Sequence, residues 1–268
     1  KQDYIDSVIE NSFRRGKFFF NDVIELSNKL KNINIDRAYI LEKTKGTVIA
    51  CKLARIKNIY GFGIGSQKYF VNRLVKLEEE DLRYNYTEQS IKFLKKLNIS
   101  YNFNENFLSL SDDDKKKFNK DYINLPKPWV CLGVDSTEVN RIWPQKNFAE
   151  LSDILIKKKL AGTFFVINFM DHKNYFQEIV NNSKNKKQFI NCKFMNRSQI
   201  IHLIDMCDYF VGIDSGPSCI SGAIGKKTFC IIGPTDQTLP RFISMKKIIS
   251  DIYDKSREVG IKRCGDNF

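Results

Sequence analysis

The densest chemistry in the chain lies in Gly212-Ile-Asp-Ser-Gly-Pro-Ser-Cys-Ile-Ser-Gly-Ala-Ile-Gly225. An apolar run ends at Ile213, so Asp214 and Ser215 fall on a strand tip. Gly216 allows a tight turn and the close approach of a ligand. Pro217 suits the first turn of a helix, where its missing N–H had no partner. The remaining N–H groups of such a turn point at the ligand space and favour an anion, most naturally a diphosphate. The same residues also fit a plain turn in which Asp214 or Ser215 caps the helix. A second loop is Val134-Asp-Ser-Thr-Glu-Val-Asn-Arg-Ile-Trp-Pro144. Ser136 and Thr137 offer hydroxyls to phosphate oxygens, and Arg141 offers an always-charged fork. Trp143-Pro144 anchors the loop on the domain body; the alternative is a surface arginine beside a buried tryptophan. The third loop is Gly233-Pro-Thr-Asp236, a strand-end turn in which Thr235 reaches toward a phosphate or serves the turn alone.

These loops need strands and helices to hold them. From residue 127 onward, apolar strand-like runs alternate with amphipathic helical segments. Trp129–Val134, Thr163–Ile167, Gln188–Phe194, Tyr209–Ile213 and Lys227–Ile232 read as strands. Asn147–Lys158, Lys173–Asn182, Asn196–Cys207 and Pro217–Ile224 read as helices. Continuous apolar strands between such helices imply a parallel sheet covered on both faces, with ligands beyond the strands' carboxyl ends. The first part follows the same logic less completely. Phe18–Asn32, Thr47–Arg55 and Tyr84–Leu97 read as helices, Arg37–Leu41 and Asn58–Phe62 as strands. Asp112–Asp114 ahead of Lys115–Lys117 reads as a helix start obeying the macrodipole. Leu125-Pro126-Lys127-Pro128 marks a boundary between residues 1–126 and 127–268. Gly61-Phe-Gly-Ile-Gly65 has GxGxG spacing with no helix opening at its third glycine, which argues against a dinucleotide site. His202 belongs to a helix whose apolar side faces the core. Met195 closes a strand, where core packing is the default and covering a nucleobase is the alternative.

Composition narrows the function classes. The 268 residues are 42% hydrophobic and 13% aromatic, enough for a real core, and no apolar run is long enough to span a bilayer. The chain opens on Lys-Gln-Asp-Tyr rather than Met, with no apolar leader, as a processed or partial chain would. The net charge is +13, divided almost evenly between residues 1–126 (23 basic, 17 acidic) and 127–268 (21 and 14). A diffuse excess without a basic tail suits an enzyme of anionic substrates beside an anionic membrane better than a nucleic-acid binder. The seven cysteines contain no CxxC pair, and only His172 and His202 accompany them. That pattern predicts no zinc site and a reducing, cytoplasmic setting. Cys264, in the polar tail, has no evident role.

At its three loops the sequence resembles the heptosyltransferase-type glycosyltransferases of family nine. Arg141-Ile-Trp-Pro144 stands where the family has Lys-x-Trp-Pro, four residues after Ser136-Thr137. Asp214-Ser-Gly-Pro-Ser-Cys219 matches Asp-(Ser/Thr)-Gly-x-x-His, and Gly233-Pro-Thr-Asp236 matches Gly-Pro-Thr. Asp36–Leu41 and Ala50–Phe62 are similar to the acceptor-side strand and the helix leading to an Ile-Gly-Phe strand end. The resemblance covers most of residues 36–236.

It implies a GT-B-like α/β architecture, two Rossmann-like domains with parallel sheets facing a cleft, the N-terminal one on the acceptor side and incomplete. It also implies that Ser136, Thr137, Arg141, Asp214, Ser215, Gly216, Cys219 and Thr235 serve the donor, with Asp171 near the ribose and Met195 beside the base. The family's first strand and the Gly-Asp turn carrying its general base have no counterpart here, so no catalytic base is named. Arg141 for Lys and Cys219 for His are further departures.

The expected activity is inverting transfer of a sugar, a heptose, from a nucleoside-diphosphate donor such as ADP-heptose to a lipopolysaccharide-type acceptor. No metal or other cofactor is expected, because fixed positive groups neutralise the leaving diphosphate. The resemblance also implies a cytoplasmic protein at the inner face of the inner membrane. The competing readings are a nucleotide-sugar-binding protein without turnover and a nucleic-acid binder resting on charge alone.

Overall fold

The computed structural model describes residues 6–11, 13, 19–41, 45–76, 86–101, 108, 122–137, 139–169, 174–233, 242 and 244–249. The expected helix start at Asp112–Lys117, together with Asp171, Thr235 and Cys264, lies outside them. The chain divides into two compact units, Lys1–Asn102 and Phe103–Asn267.

In the first unit a three-stranded parallel sheet runs β1 (Arg37–Ile40), β2 (Asn58–Gly61), β3 (Arg73–Leu74) in that spatial order. The helix Lys45–Leu53 connects β1 to β2, as a parallel pair requires. It contributes Val48 and Cys51 to a core with Ile40, Ile56, Ile59 and Val71. The helix Phe20–Lys31 lays Val23 and Leu26 against Ala50. After β2 the glycine-rich stretch leads into a five-residue 3₁₀ turn, Gly65–Tyr69, where the Gly63 N–H donates to Gln67 Oε1 at 2.9 Å. No α-helix opens there. The two-residue β3 is too short to leave a periodic signal in the sequence.

In the second unit six parallel strands are ordered β6-β5-β4-β7-β8-β9. They are β4 (Trp129–Gly133), β5 (Thr163–Ile167), β6 (Phe189–Asn191), β7 (Tyr209–Ile213), β8 (Thr228–Ile232) and β9 (Met245–Ile249). Counted within the unit this is 3-2-1-4-5-6, the doubly wound order. β4 and β5 are buried along their whole length, which is why they read as unbroken apolar runs. Alternate residues feed two layers. Val130, Leu132, Phe164, Val166 and Val211 meet Phe148, Ala149 and Ile179 on one face. Trp129, Cys131, Phe165, Ile167 and Phe210 meet Ile200, Leu203 and Ile204 on the other. β9 was not expected; its burial alternates between half-buried and exposed, a weaker pattern than that of the central strands.

The segment around the two prolines is tied to the second unit. Tyr122 packs edge-on against Phe165 at 5.3 Å, Trp129 Nε1–H donates to Leu125 O, and Thr163 Oγ1–H donates to Pro126 O. By these contacts residues 122–128 go with the second compact unit, Phe103–Asn267.

Gly133 and Gly212 are register partners on β4 and β7. A Cβ on either would meet the Phe210 ring at 2.6 and 2.7 Å. The fully buried Phe210 thus fills the space both glycines leave open, just beneath the strand tips. Phe210→Ala is expected to destabilise the chain by about 3–5 kcal/mol, read from urea denaturation. A loss below about 1 kcal/mol would show that this layer is not tightly packed.

Candidate functional site

The order of the sheet reverses between β4 and β7, so the loops leaving their carboxyl ends diverge and open a crevice. Both loops were singled out by composition, and the structure joins them. Arg141 Nη1 lies 3.4 Å from Asp214 Oδ2. The two side chains are 13% and 6% exposed, so the ion pair is largely buried. It ties the loop after β4 to the tip of β7. The loop after β8 joins them, since a Cβ on Gly233 would sit 3.2 Å from Asn140 O.

The expected alternative for this region was a capped turn. Ser215 does occupy the N-cap of the helix Gly216–Ile224, with Pro217 in its first turn, but its own side chain makes no capping hydrogen bond. Ser215 Oγ is buried and makes no hydrogen bond. Asp214 pairs with Arg141. Gly216 is exposed, and the space where its Cβ would stand is open. The helix therefore presents its positive end to open space, with a buried ion pair at its base.

The other expected residues are distributed around this centre. Ser136 is half-buried and Thr137 exposed, both in the loop after β4. Trp143 packs edge-on against Phe148 at 4.9 Å, the anchoring expected of it, and the helix Gln145–Lys157 begins immediately after Pro144. Cys219, half-buried on the first turn of its helix, packs against the pair Cys230 and Ile232. Met195 packs against the core layer of Cys192, Ile200 and Phe165.

One residue was missed. Asp135 is buried at the carboxyl end of β4 and accepts from the Phe169 N–H at 2.6 Å. It pins the loop after β5 to the loop after β4. A carboxylate directly following an apolar strand was its only sequence signal. Among the described residues no group of His, Cys, Asp and Glu is arranged to hold a metal ion, and no helix is long and apolar enough to cross a membrane.

Burial pushes the Cys219 thiol up to about 11, helped by the Asp214 carboxylate and opposed by Arg141. Burial pushes Cys230 up to about 12. An unfolded thiol titrates near 8.5, so the fold favours the neutral form. The resulting stabilisation is complete below about pH 8.5 and is lost as pH rises toward 11. Melting temperature should fall across that window, and less in Cys219→Ala; equal falls in both proteins would contradict the assignment.

Removing one partner of a buried ion pair strands the other, at a cost of about 3–5 kcal/mol. Arg141→Ala and Asp214→Ala should each approach that loss, while the double variant falls short of their sum by about 1–3 kcal/mol. Additivity within about 0.5 kcal/mol in urea denaturation would mean that the two groups do not interact.

Comparison with known proteins adds the family. The model of glycosyltransferase family 9 (heptosyltransferase) matches residues 23–263. The fold is similar to that of E. coli ADP-heptose lps heptosyltransferase II, with TM-score 0.69 and 16% identity, covering 91% of this chain and 80% of that one. It is similar to a glycosyl transferase family 9 protein from Veillonella parvula, with TM-score 0.72 and 16% identity, covering 94% and 73%. It is also similar to E. coli heptosyltransferase WaaC with ADP-2-deoxy-2-fluoro heptose, with TM-score 0.63 and 14% identity, covering 91% and 77%. No curated protein matches by sequence. The parallel sheets are those expected of a GT-B-like fold, and with nine-tenths of its length inside the family model, the chain belongs to glycosyltransferase family 9, the heptosyltransferases.

Proposed function

We propose that this glycosyltransferase moves a heptose, with inversion, from an ADP-linked donor to a lipopolysaccharide-type acceptor. The observation that carries this reading is the helix start at Ser215-Gly216, whose N-cap side chain makes no hydrogen bond, beside the buried Arg141–Asp214 pair at the switch point of the sheet. Outward-facing N–H groups and the helix dipole favour the diphosphate in the ground state. They favour it more as the glycosidic bond breaks and charge builds on the leaving oxygen. Asp214 acts by holding the Arg141 fork toward that charge, and Ser136, Thr137 and Ser215 supply hydroxyls. The acceptor hydroxyl attacks the anomeric carbon from the opposite side, and a carboxylate removes its proton.

Residues 127–268 are the donor-binding part in this reading, and residues 1–126 the acceptor side. Asp171 near the ribose and Thr235 near a phosphate remain part of the proposal. Cys219, packed on Cys230, serves the helix–sheet contact and lines the site with a neutral thiol. The diffuse positive charge favours work at an anionic membrane surface, on the cytoplasmic side. Two relatives of similar fold are named for the same donor class: an ADP-heptose heptosyltransferase, and WaaC with an ADP-heptose analogue.

The test pairs calorimetry with turnover. The chain should bind ADP, and Arg141→Ala should weaken it about 10- to 100-fold, as expected for a lost charge-assisted contact. Arg141→Lys should lose less, because a point charge remains. With ADP-heptose and an acceptor, sugar transfer should accompany binding. Binding without transfer would favour the turnover-free reading. No ADP binding at millimolar concentration, by a folded protein, would refute the donor site.

A further inference from the structure

β4 and β5 run side by side through five register pairs, the last being Gly133 with Ile167. One further backbone bond follows, the Val134 N–H donating to Ile167 O at 3.4 Å. In a parallel ladder the next donor is the Phe169 N–H, and its regular acceptor is the Val134 carbonyl. The Phe169 N–H instead donates to Asp135 Oδ2 at 2.6 Å. A side-chain carboxylate thus takes the place of a backbone carbonyl as the last rung. The two strands can part at this level while the Phe169 N–H keeps a partner.

A continued backbone ladder would satisfy the same N–H without burying a charge. Asp135 is only 5% exposed, and a buried carboxylate carries a desolvation cost. The loop that it opens is held at its far end as well, by the Arg141–Asp214 pair and by Trp143 against Phe148. Between these anchors lie the half-buried Ser136 and the exposed Thr137. One peptide bond joins Ser136 to Asp135, so whatever fixes Asp135 also fixes the backbone that presents the Ser136 hydroxyl. Beside a bound diphosphate the carboxylate's charge is unfavourable, because like charges repel. Its use at this position is therefore as a hydrogen-bond acceptor.

Resting on the donor-site reading above, we propose that Asp135 is a positioning residue for diphosphate binding. Its carboxylate replaces the ladder carbonyl, lets β4 turn away from β5, and sets the Ser136-Thr137 turn where the hydroxyls meet the phosphates. It acts through the bond it accepts from Phe169, and through Ser136, rather than by touching the ligand. Two consequences separate this role from a plain structural pin. An uncharged side chain with the same acceptor restores binding, and the contribution of Ser136 depends on Asp135.

The experiment titrates the whole chain and its variants with ADP and with inorganic pyrophosphate, with circular dichroism as the check on folding. Asp135→Ala and Asp135→Leu both remove the acceptor, one leaving space and the other filling it. Each should weaken both ligands about 3- to 10-fold. Asp135→Asn keeps an oxygen for the Phe169 N–H and should recover the parent's affinity or exceed it. Ser136→Ala should weaken ADP about 3- to 10-fold in the parent and less than about 2-fold in Asp135→Ala. Parent-like binding in the alanine and leucine variants would overturn the positioning role, with the diphosphate site still standing. So would an asparagine variant as weak as the alanine one, or an equal Ser136→Ala effect in both backgrounds. Failure of both acceptor-less variants to fold would assign the bond to the fold and overturn the proposal as well. A parent that binds neither ligand would overturn the donor site itself.

Discussion

A doubly wound sheet has one place where neighbouring connections run in opposite directions, and everything assigned to this protein depends on what fills it. Here the place is the gap between β4 and β7, and its floor is the paired glycines Gly133 and Gly212 with the Phe210 ring beneath them. A side chain at either glycine would run into the Phe210 ring. With both absent, Arg141 and Asp214 close over the gap as a buried ion pair. That pair has a desolvation cost that a hydrophobic contact would avoid. In the proposed reading the pair aims charge at a ligand bound at the helix start after Ser215.

Around that centre the site is layered by chemistry. The Arg141–Asp214 pair and the Ser215 helix start stand at the switch point, and the Cys219 thiol packs against Cys230 and Ile232. The cysteines illustrate the division. Cys131, Cys192 and Cys207 are buried in one core layer, and burial raises the thiols of Cys131 and Cys192. Cys219 stands between core and site, and its neutral thiol packs on Cys230. A histidine at that position would have to leave the Cys230–Ile232 contact or force it open, so Cys219 follows from the packing as much as from any chemistry.

Much of the second unit was legible in the sequence because its central strands are buried on both faces. Thr163–Ile167 and Tyr209–Ile213 were bounded to the residue, since an unbroken apolar run flanked by polar turns leaves little choice. The edge strand β9, partly wet, has no such contrast, and β3 is two residues long. Site residues were legible as types and spacings but not as partners. Nothing local in the sequence says that Arg141 reaches Asp214, seventy-three positions later, because only the strand order brings them together. Asp135 was missed for the same reason: its partner is a backbone N–H on another loop. Phe194 and Met195 show the limit of spacing alone. They are adjacent, and only the turn geometry decides which faces the core.

The most direct test of the account is a crystal structure of the chain with ADP. The diphosphate is expected to lie against the first turn of the helix after Ser215. At least one phosphate oxygen should be within hydrogen-bond distance of a backbone N–H there, and another within reach of Arg141. A diphosphate bound elsewhere on the sheet edge, with the Arg141–Asp214 pair and Ser215 untouched, would contradict it.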